Sequence, residues 1–572
     1  MNRTECAGQA SGSSMKKEVK KSGQKREFIL KSFTLADWAF LLLALGILAA
    51  LILFFVVYPD NLMHSDTTAE VILSKLLADE NRLITKDWFY STEIRIVYTQ
   101  LVMVPLFHIF SDFGTVKLIS VIIFDMLLVW AYFMIAKRFG MEKKWVFLSL
   151  ALLLAPLSNE YLDMMFIGCF YTSQTICTYL VLSYVVKPKK DRRAWILQCT
   201  ILSAAALILG LSGLRYLASL YLPMLLAAIY MLIMEEPKDA NGEPEDKNAH
   251  VTPDKQGAMA LVKKHLGGIC YLLIMTVAAG IGFLVNKLYL AKAYSFDTTS
   301  EVTFVPLSEV SDRFINSIKL MIEFMGYREI QVVTPLGLVN AVKCLFLLFF
   351  VGIVLYLWKN RMALLDKRER FFLYFFVFLF LINWYMLIFT DVLMQYRYWL
   401  PVYVTGVLLI GIFLQKSQMK TLLLKPVMAL FLAVVVLSSL YGELWQDTKY
   451  NDCEKRYGYL KYLEENDYDF GYATFWNASV TEYLTNGQIH VGSIGGDDWG
   501  ARPYEWLSPK AYYRAGFHEG KTFLLLARTE EAGMLKGDFT IMEDAKCVYQ
   551  DEYYAIYEGQ QGMYLYSEGY EP

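Results

Sequence analysis

Long apolar stretches, broken by short polar ones, run through most of this chain. Asp37 to Tyr58 is the first, and a bilayer-crossing helix needs roughly 20 such residues. The same pattern returns at Val116 to Ala136, Val146 to Leu157, Gly168 to Val186, Trp195 to Leu211 and Tyr216 to Met234. It continues at Gly267 to Leu290, Pro335 to Trp358, Phe371 to Phe389, Leu400 to Leu414 and Lys425 to Leu444. One further stretch, Ile94 to Phe110, is barely long enough and holds Pro105 and His108. Loop charge arbitrates its role, because lysine and arginine collect on the cytoplasmic side. If Ile94 to Phe110 crossed, the basic loop KRFGMEKKW would fall outside; as a re-entrant or interfacial segment it leaves that loop inside. KPKKDRRAW, KNRMALLDKRER and QKSQMK then also fall inside. The pattern therefore predicts about eleven crossings, with the N-terminus in and the C-terminus out.

Polar segments between these runs carry their own periodicity. Residues 1–36 are polar and basic and are expected to be a disordered cytoplasmic tail. Within Pro59 to Arg95 the pattern turns helical from Thr67, with Val71, Ile72 and Leu76 set apart from Lys75 and Asp79. Such a helix suits the bilayer interface, apolar side down. Asp66 falls at or near its N-cap, with Glu70 one turn on; capping alone would explain Asp66 as well as chemistry would. The segment EEPKDANGEPEDKNAHVTPDKQG reads as a disordered inner linker. Ala291 to Thr334 is a long outer loop, and its amphipathic piece from Val310 to Tyr327 fits a lid, an interfacial helix or ordinary packing.

From Trp445 onward apolar runs shorten while tyrosine, glycine and acidic residues rise. RYGYLKYLEEN predicts a helix ending near Asn466. FGYATFW, QIHVGSI and KTFLLLA predict strands, and AKCVYQDEYYAIYEG predicts two more joined by a turn. The expected division is a tail (1–36), a transmembrane domain (37–444) and a small extracytoplasmic α/β domain (445–572). The Asn477-Ala-Ser sequon is more simply incidental than glycosylated.

Composition adds three constraints. The 572 residues are 56% hydrophobic, above the 45–50% of soluble domains, which agrees with a polytopic membrane protein. A net charge of -2 gives no reason to expect a nucleic-acid partner. Eight cysteines show neither CxxC pairs nor metal-ligand spacing, although Cys453 and Cys547 could pair within the C-terminal domain.

On the predicted topology one side of the membrane gathers Asp66, Glu70, Lys86, Asp87, Glu93, Arg95, Glu160, Asp163, Arg215, Asp391 and Arg397. A carboxylate there could take a proton from an acceptor hydroxyl. Arginines could grip a phosphate through paired hydrogen bonds. Paired carboxylates could instead hold a divalent metal, and a lone juxtamembrane arginine is commonly only an anchor.

The order of these features resembles the GT-C superfamily of glycosyltransferases, which use polyprenyl-phosphate-linked sugars. HSDTTAEVI supplies an acidic residue after the first span, ITKDW ends the helix that follows, and IRIVYTQLVMVPLF matches a half-inserted segment. AKRFG, SNEYLD and MQYRYWLPV continue the likeness, which is good over Ala36 to Val186 and in outline beyond. The resemblance implies that Asp66 is the first-loop catalytic carboxylate and that Asp163, or Glu160 beside it, is the second-loop acid. It implies Arg397 as the phosphate-binding arginine, with Arg215 and Arg95 as further candidates and Glu70 and Tyr396 in the same substrate-binding group. It implies a polyprenyl-phosphate sugar donor, a glycan, lipid or protein acceptor, and no particular metal. STEIRI stands where the family has a lysine-proline-proline text, a departure that leaves the roles of Glu93 and Arg95 open. Its tail, DFGYATFWNASVTEYLTNGQIHV, is similar to those of bacterial membrane proteins of this type and suggests a role in a cell-surface polymer. Two rivals stand beside this expectation. A transporter or flippase of a lipid-linked precursor would put a cavity around Asp125, the clearest mid-membrane carboxylate. A non-catalytic scaffold would use its outer domain to bind a partner.

Overall fold

A computed structural model of the chain describes residues 33–559, apart from 190, 235–254, 295, 297–301, 419–422, 450, 452, 498–499, 515 and 535–544. The predicted basic tail before residue 33 and most of the predicted charged linker lie outside the described residues.

The apolar runs form helices, as their length requires. In chain order these are α1 (Leu35–Val57), α2 (Ser65–Asp79), β1 (Trp88–Phe89), α3 (Gln100–Phe107), α4 (Phe113–Phe139) and α5 (Lys143–Leu154). Then come α6 (Asn159–Leu162), which runs on through a wide turn to Ile167, α7 (Thr172–Val185) and α8 (Arg192–Gly210). They are followed by α9 (Leu214–Met234), α10 (Gly268–Tyr294), α11 (Leu307–Phe324), α12 (Pro335–Leu364), α13 (Lys367–Phe389), α14 (Tyr396–Lys416) and α15 (Leu424–Asp447). Local chemistry sets several ends. Thr34 and Asp37 exchange hydrogen bonds at the start of α1, and Asp366 and Glu369 do the same at α13. Gly140 closes α4 at φ +65°, where a side chain would be strained.

Among the described residues nine helices are long and apolar enough to cross a membrane: α1, α4, α8, α9, α10, α12, α13, α14 and α15. The chain is a multi-pass membrane protein. The predicted total of about eleven differs because two runs are short. α5 ends after 12 residues and breaks by 103° into α6, and α7 has 14 residues, about 21 Å at 1.5 Å per residue. Every residue of α5 from Trp145 on is buried, so its apolar character serves contact with α1 and α14. α3 is far too short to span, in keeping with the re-entrant or interfacial expectation for Ile94 to Phe110.

α2 is covered by more protein than one apolar face on a bilayer would need. Eleven of its fifteen residues are buried, Glu70 and Ser74 among them, because protein covers it on both sides. The covering element is α17 (Phe475–Leu484), in the C-terminal part. There α16 (Tyr457–Glu465) precedes β2 (Phe470–Thr474), and β3 (His490–Asp497), β4 (Gly500–Pro503) and β5 (Ser508–Pro509) follow α17. β6 (Phe523–Ala527), α18 (Arg528–Met534), β7 (Ala545–Gln550) and β8 (Tyr554–Gly559) complete the set. The sheet order is β4-β3-β2-β6-β8-β7, with β2 parallel to β3 and β6 and the outer pairs antiparallel. The predicted helix end at Asn466 and the strands at 523–527, 545–550 and 554–559 agree with this. FGYATFW is a strand only to Thr474; Phe475 and Trp476 begin α17, which packs between β3 and α2. No disulfide joins buried Cys453 to exposed Cys547.

The C-terminal part is fastened to the first loop. β5 pairs antiparallel with β1, the Lys510 amide donates to the Asp87 carbonyl at 3.0 Å, and Arg514 meets the Asp87 carboxylate at 2.5 Å. Ser65 Oγ donates to the Phe475 carbonyl at 2.6 Å, and Ser479 Oγ returns a bond to the Ser65 carbonyl at 3.1 Å.

Candidate active site

A cavity of about 520 Å³ opens where the first loop, the α6–α7 region, the start of α9, the α13–α14 turn and the β4–β5 turn converge. Asp66, Glu70, Arg95, Arg215 and Arg397 all line it, together with Asp391, Tyr171 and Tyr398. These residues come from four separate stretches of sequence. The cap of α2 is His64, so Asp66 is the second residue of the first turn and lines the cavity without capping the helix. Asp66 and Arg397 have no hydrogen bond or ion pair of their own among the described residues. Their bonding capacity faces the cavity.

The other two arginines are fixed. Glu93, which is buried, receives Arg95 Nε at 3.3 Å and Arg215 at 3.5 Å. Arg95 also donates to Tyr98 Oη at 2.7 Å, and Arg215 stacks on the Tyr171 ring at 4.6 Å. Gly213 leaves room for this anchor. It sits at φ +89°, and a Cβ there would come within 1.9 Å of Glu93 Oε2. Glu93, for which the sequence offered no role, is thus one carboxylate holding the guanidinium groups of Arg95 and Arg215 at the cavity rim.

Behind the Asp66 wall lies a carboxylate group from α6 and its continuation. His64 Nε2 is 3.0 Å from Asp163 Oδ1 and 3.1 Å from Thr67 Oγ1. Burial pulls the His64 imidazole down, but the charge and hydrogen bond of Asp163 raise it more, and the net direction is upward. Asp163 and Glu160 do not line the cavity themselves. Glu160 keeps one carboxylate oxygen buried without a partner and lies within electrostatic range of Arg397, Asp163, His64 and Asp66. Glu70 is pushed up to about 7 by burial, against the opposing pull of Arg95 and Lys117. Lys117 Nζ, on α4, is itself buried without a hydrogen-bond partner.

Tyr396 misses the cavity and Tyr398 reaches it. The stretch Tyr396–Trp399 is a tight three-residue-per-turn coil, which brings Arg397 and Tyr398 round while turning Tyr396 aside. Trp506 and Leu507, from the C-terminal part, complete the wall; no local pattern marks them. A second, mostly apolar cavity of about 200 Å³ adjoins the first. It shares Thr92, Tyr171, Arg215, Val302, Val392 and Tyr398 with it and runs on between α9 and α13 past Ala218, Leu379, Ile382 and Met386. Asp125 is fully buried in α4 with neither oxygen hydrogen-bonded, and it lines neither cavity. Among the described residues no three His, Cys, Asp or Glu side chains converge as a metal would need.

No protein-family model and no curated protein matches the chain. A solved structure does match: ArnT from Cupriavidus metallidurans, crystallised in the apo state. The superposition covers 91% of this chain and 97% of that one, with a TM-score of 0.54 and 13% sequence identity.

Proposed function

With a fold of the GT-C type as the premise, we propose that the chain transfers a sugar from a polyprenyl-phosphate donor to a cell-surface acceptor. The observation that carries this reading is the pairing of Asp66 and Arg397 across one cavity, each with its bonding groups unspent. The acceptor hydroxyl oxygen attacks the anomeric carbon. Its proton passes to Asp66, and the bond from that carbon to the phosphate oxygen breaks, its electron pair leaving with the phosphate. The phosphate thereby gains negative charge, which Arg397 and the Glu93-anchored Arg215 stabilise in place. A displacement of this kind inverts the anomeric centre. The prenyl tail occupies the adjoining apolar cavity, so that Arg215, common to both, sits at the phosphate between tail and sugar. Asp163 and Glu160 act from behind, through His64 and through the field at Arg397.

In this reading the site faces the outer leaflet, residues 37–444 form the transmembrane domain and residues 445–572 an extracytoplasmic one. Basic loops on the opposite side support that orientation. The test is Asp66→Asn in membranes with a panel of polyprenyl-phosphate sugars and expression verified. Loss of transfer is expected; undiminished transfer removes Asp66 from the chemistry.

A further inference from the structure

Trp506 and Leu507 bring the C-terminal part into the cavity wall through a tight turn. The Trp506 amide donates to the Tyr504 carbonyl at 2.7 Å, and Ser508 Oγ reaches the same carbonyl at 3.5 Å. Leu507 lies at φ +48°, a left-handed backbone that a bulky side chain rarely adopts. Strain of this kind persists only where the surroundings hold it, and here the β5–β1 pairing begins at the next residue.

Tyr504, at the start of that turn, leads to two further rings. Tyr504 packs on Phe475 at 5.5 Å, and Phe475 on Trp476 at 5.2 Å. The Phe475 carbonyl is the group bonded by Ser65, the neighbour of Asp66. That bond sets Phe475, the middle ring of the three, beside the first turn of α2. Trp476 is 60% exposed and Tyr504 40%, so neither ring is spent on the core. Exposed aromatic rings beside a polar cavity match one ligand chemistry well. A sugar ring lays its C–H face on an aromatic face, where the ring quadrupole is negative, and keeps its hydroxyls free for polar neighbours. An acyl chain would instead favour a continuous apolar trough. This row belongs to the sheet-bearing part rather than to the long apolar helices and opens beside Asp66.

We infer that this aromatic ledge binds a glycan acceptor, with Trp506 under the residue that receives the sugar and Tyr504 and Trp476 under residues further along. The assignment as acceptor rests on the glycosyl-transfer reading; the binding itself does not.

The experiment therefore uses no donor. Purified full-length protein is exposed separately to cellotetraose, maltotetraose and chitotetraose, and to dodecyl phosphate as a lipid-like probe, with binding read by saturation-transfer NMR. At least one tetrasaccharide should bind saturably. Trp506→Ala and Trp476→Ala should each weaken it about tenfold, as loss of a stacking anchor does, and Trp506→Phe should restore most of it. Because its ring is mostly exposed, Trp476→Ala decides the matter should Trp506→Ala fail to fold. Absence of binding to all three saccharides, binding unchanged in both alanine variants, or binding of dodecyl phosphate alone would each overturn the inference. Asp66→Asn should still bind the saccharide. Retained transfer in Asp66→Asn would sink the catalytic reading and leave the ledge, whereas lost transfer without saccharide binding would do the reverse.

Discussion

Two charge clusters of similar make-up occupy this fold and differ in what they leave open. In one, Glu443 on α15 receives Lys343 from α12 and Arg328 from the preceding loop, with Lys343 and Glu443 each only 1% exposed. Arg328 also donates to Asn159 at 2.9 Å. Both oxygens of Glu443 are taken, and Lys343 and Arg328 are both paired with it. The other cluster is the cavity, where Glu93 holds two arginines in the same manner but Asp66 and Arg397 stay unpaired across open space. Residue types alone do not separate the two. A buried carboxylate with its cations fixes helices against one another; a carboxylate and a cation kept apart by a cavity are held ready for a third party.

The largest effect expected is on Asp66→Asn, which should lower transfer by about 10²–10⁴ with little change in thermal midpoint, measured with matched amounts of folded protein. Next comes Glu443→Gln. Removing one partner of a buried pair leaves Lys343 and Arg328 uncompensated, on the order of 3 kcal/mol or more, so the melting temperature and yield should fall while turnover per folded molecule holds. Were Glu443→Gln to leave stability intact and abolish turnover, the contrast between the clusters would be false. Arg397→Lys keeps the charge but loses the planar fork, and about a tenfold loss in kcat/KM is expected. Gly213→Ala should act more mildly, raising KM for the donor a few fold by displacing Glu93 from its arginines.

The smallest effect concerns pH. Burial raises the folded Glu70 carboxyl from 4.5 to about 7. The folded state thus keeps a proton that the unfolded chain releases in that interval. Its contribution is complete below about pH 4.5 and is lost as pH rises through 7. Glu70→Gln should flatten the fall in melting temperature between pH 5 and 8, and an unchanged slope would show that the carboxyl titrates elsewhere.

Much of this was readable from the chain, for physical reasons that also mark where reading stops. Long apolar runs announce helices regardless of context, so the helix positions agree closely, whereas α5 and α7 look like spans because burial in protein demands the same residues as burial in lipid. Asp66, Glu70, Arg95, Arg215 and Arg397 could be gathered from loop charge and position, and all five line one cavity. The partnership of Glu93 with Arg215 could not, since it joins residues far apart in the chain and depends on Gly213. The β1–β5 contact is two residues long on each side, too brief for any periodic signal, yet it places Trp506. Tyr396 and Tyr398 both flank Arg397 in sequence, and only the tight coil decides that Tyr398 is the one at the cavity.

That short pairing of β1 with β5 has a temporal corollary. Its two halves leave the ribosome far apart in time, because Trp88 and Pro509 are widely separated in the chain. A growing polypeptide can insert its helices and bring Asp66 to the bilayer surface while one side of the chamber is still missing. On the function proposed above, a donor encountered that early would meet an open, water-filled half-site.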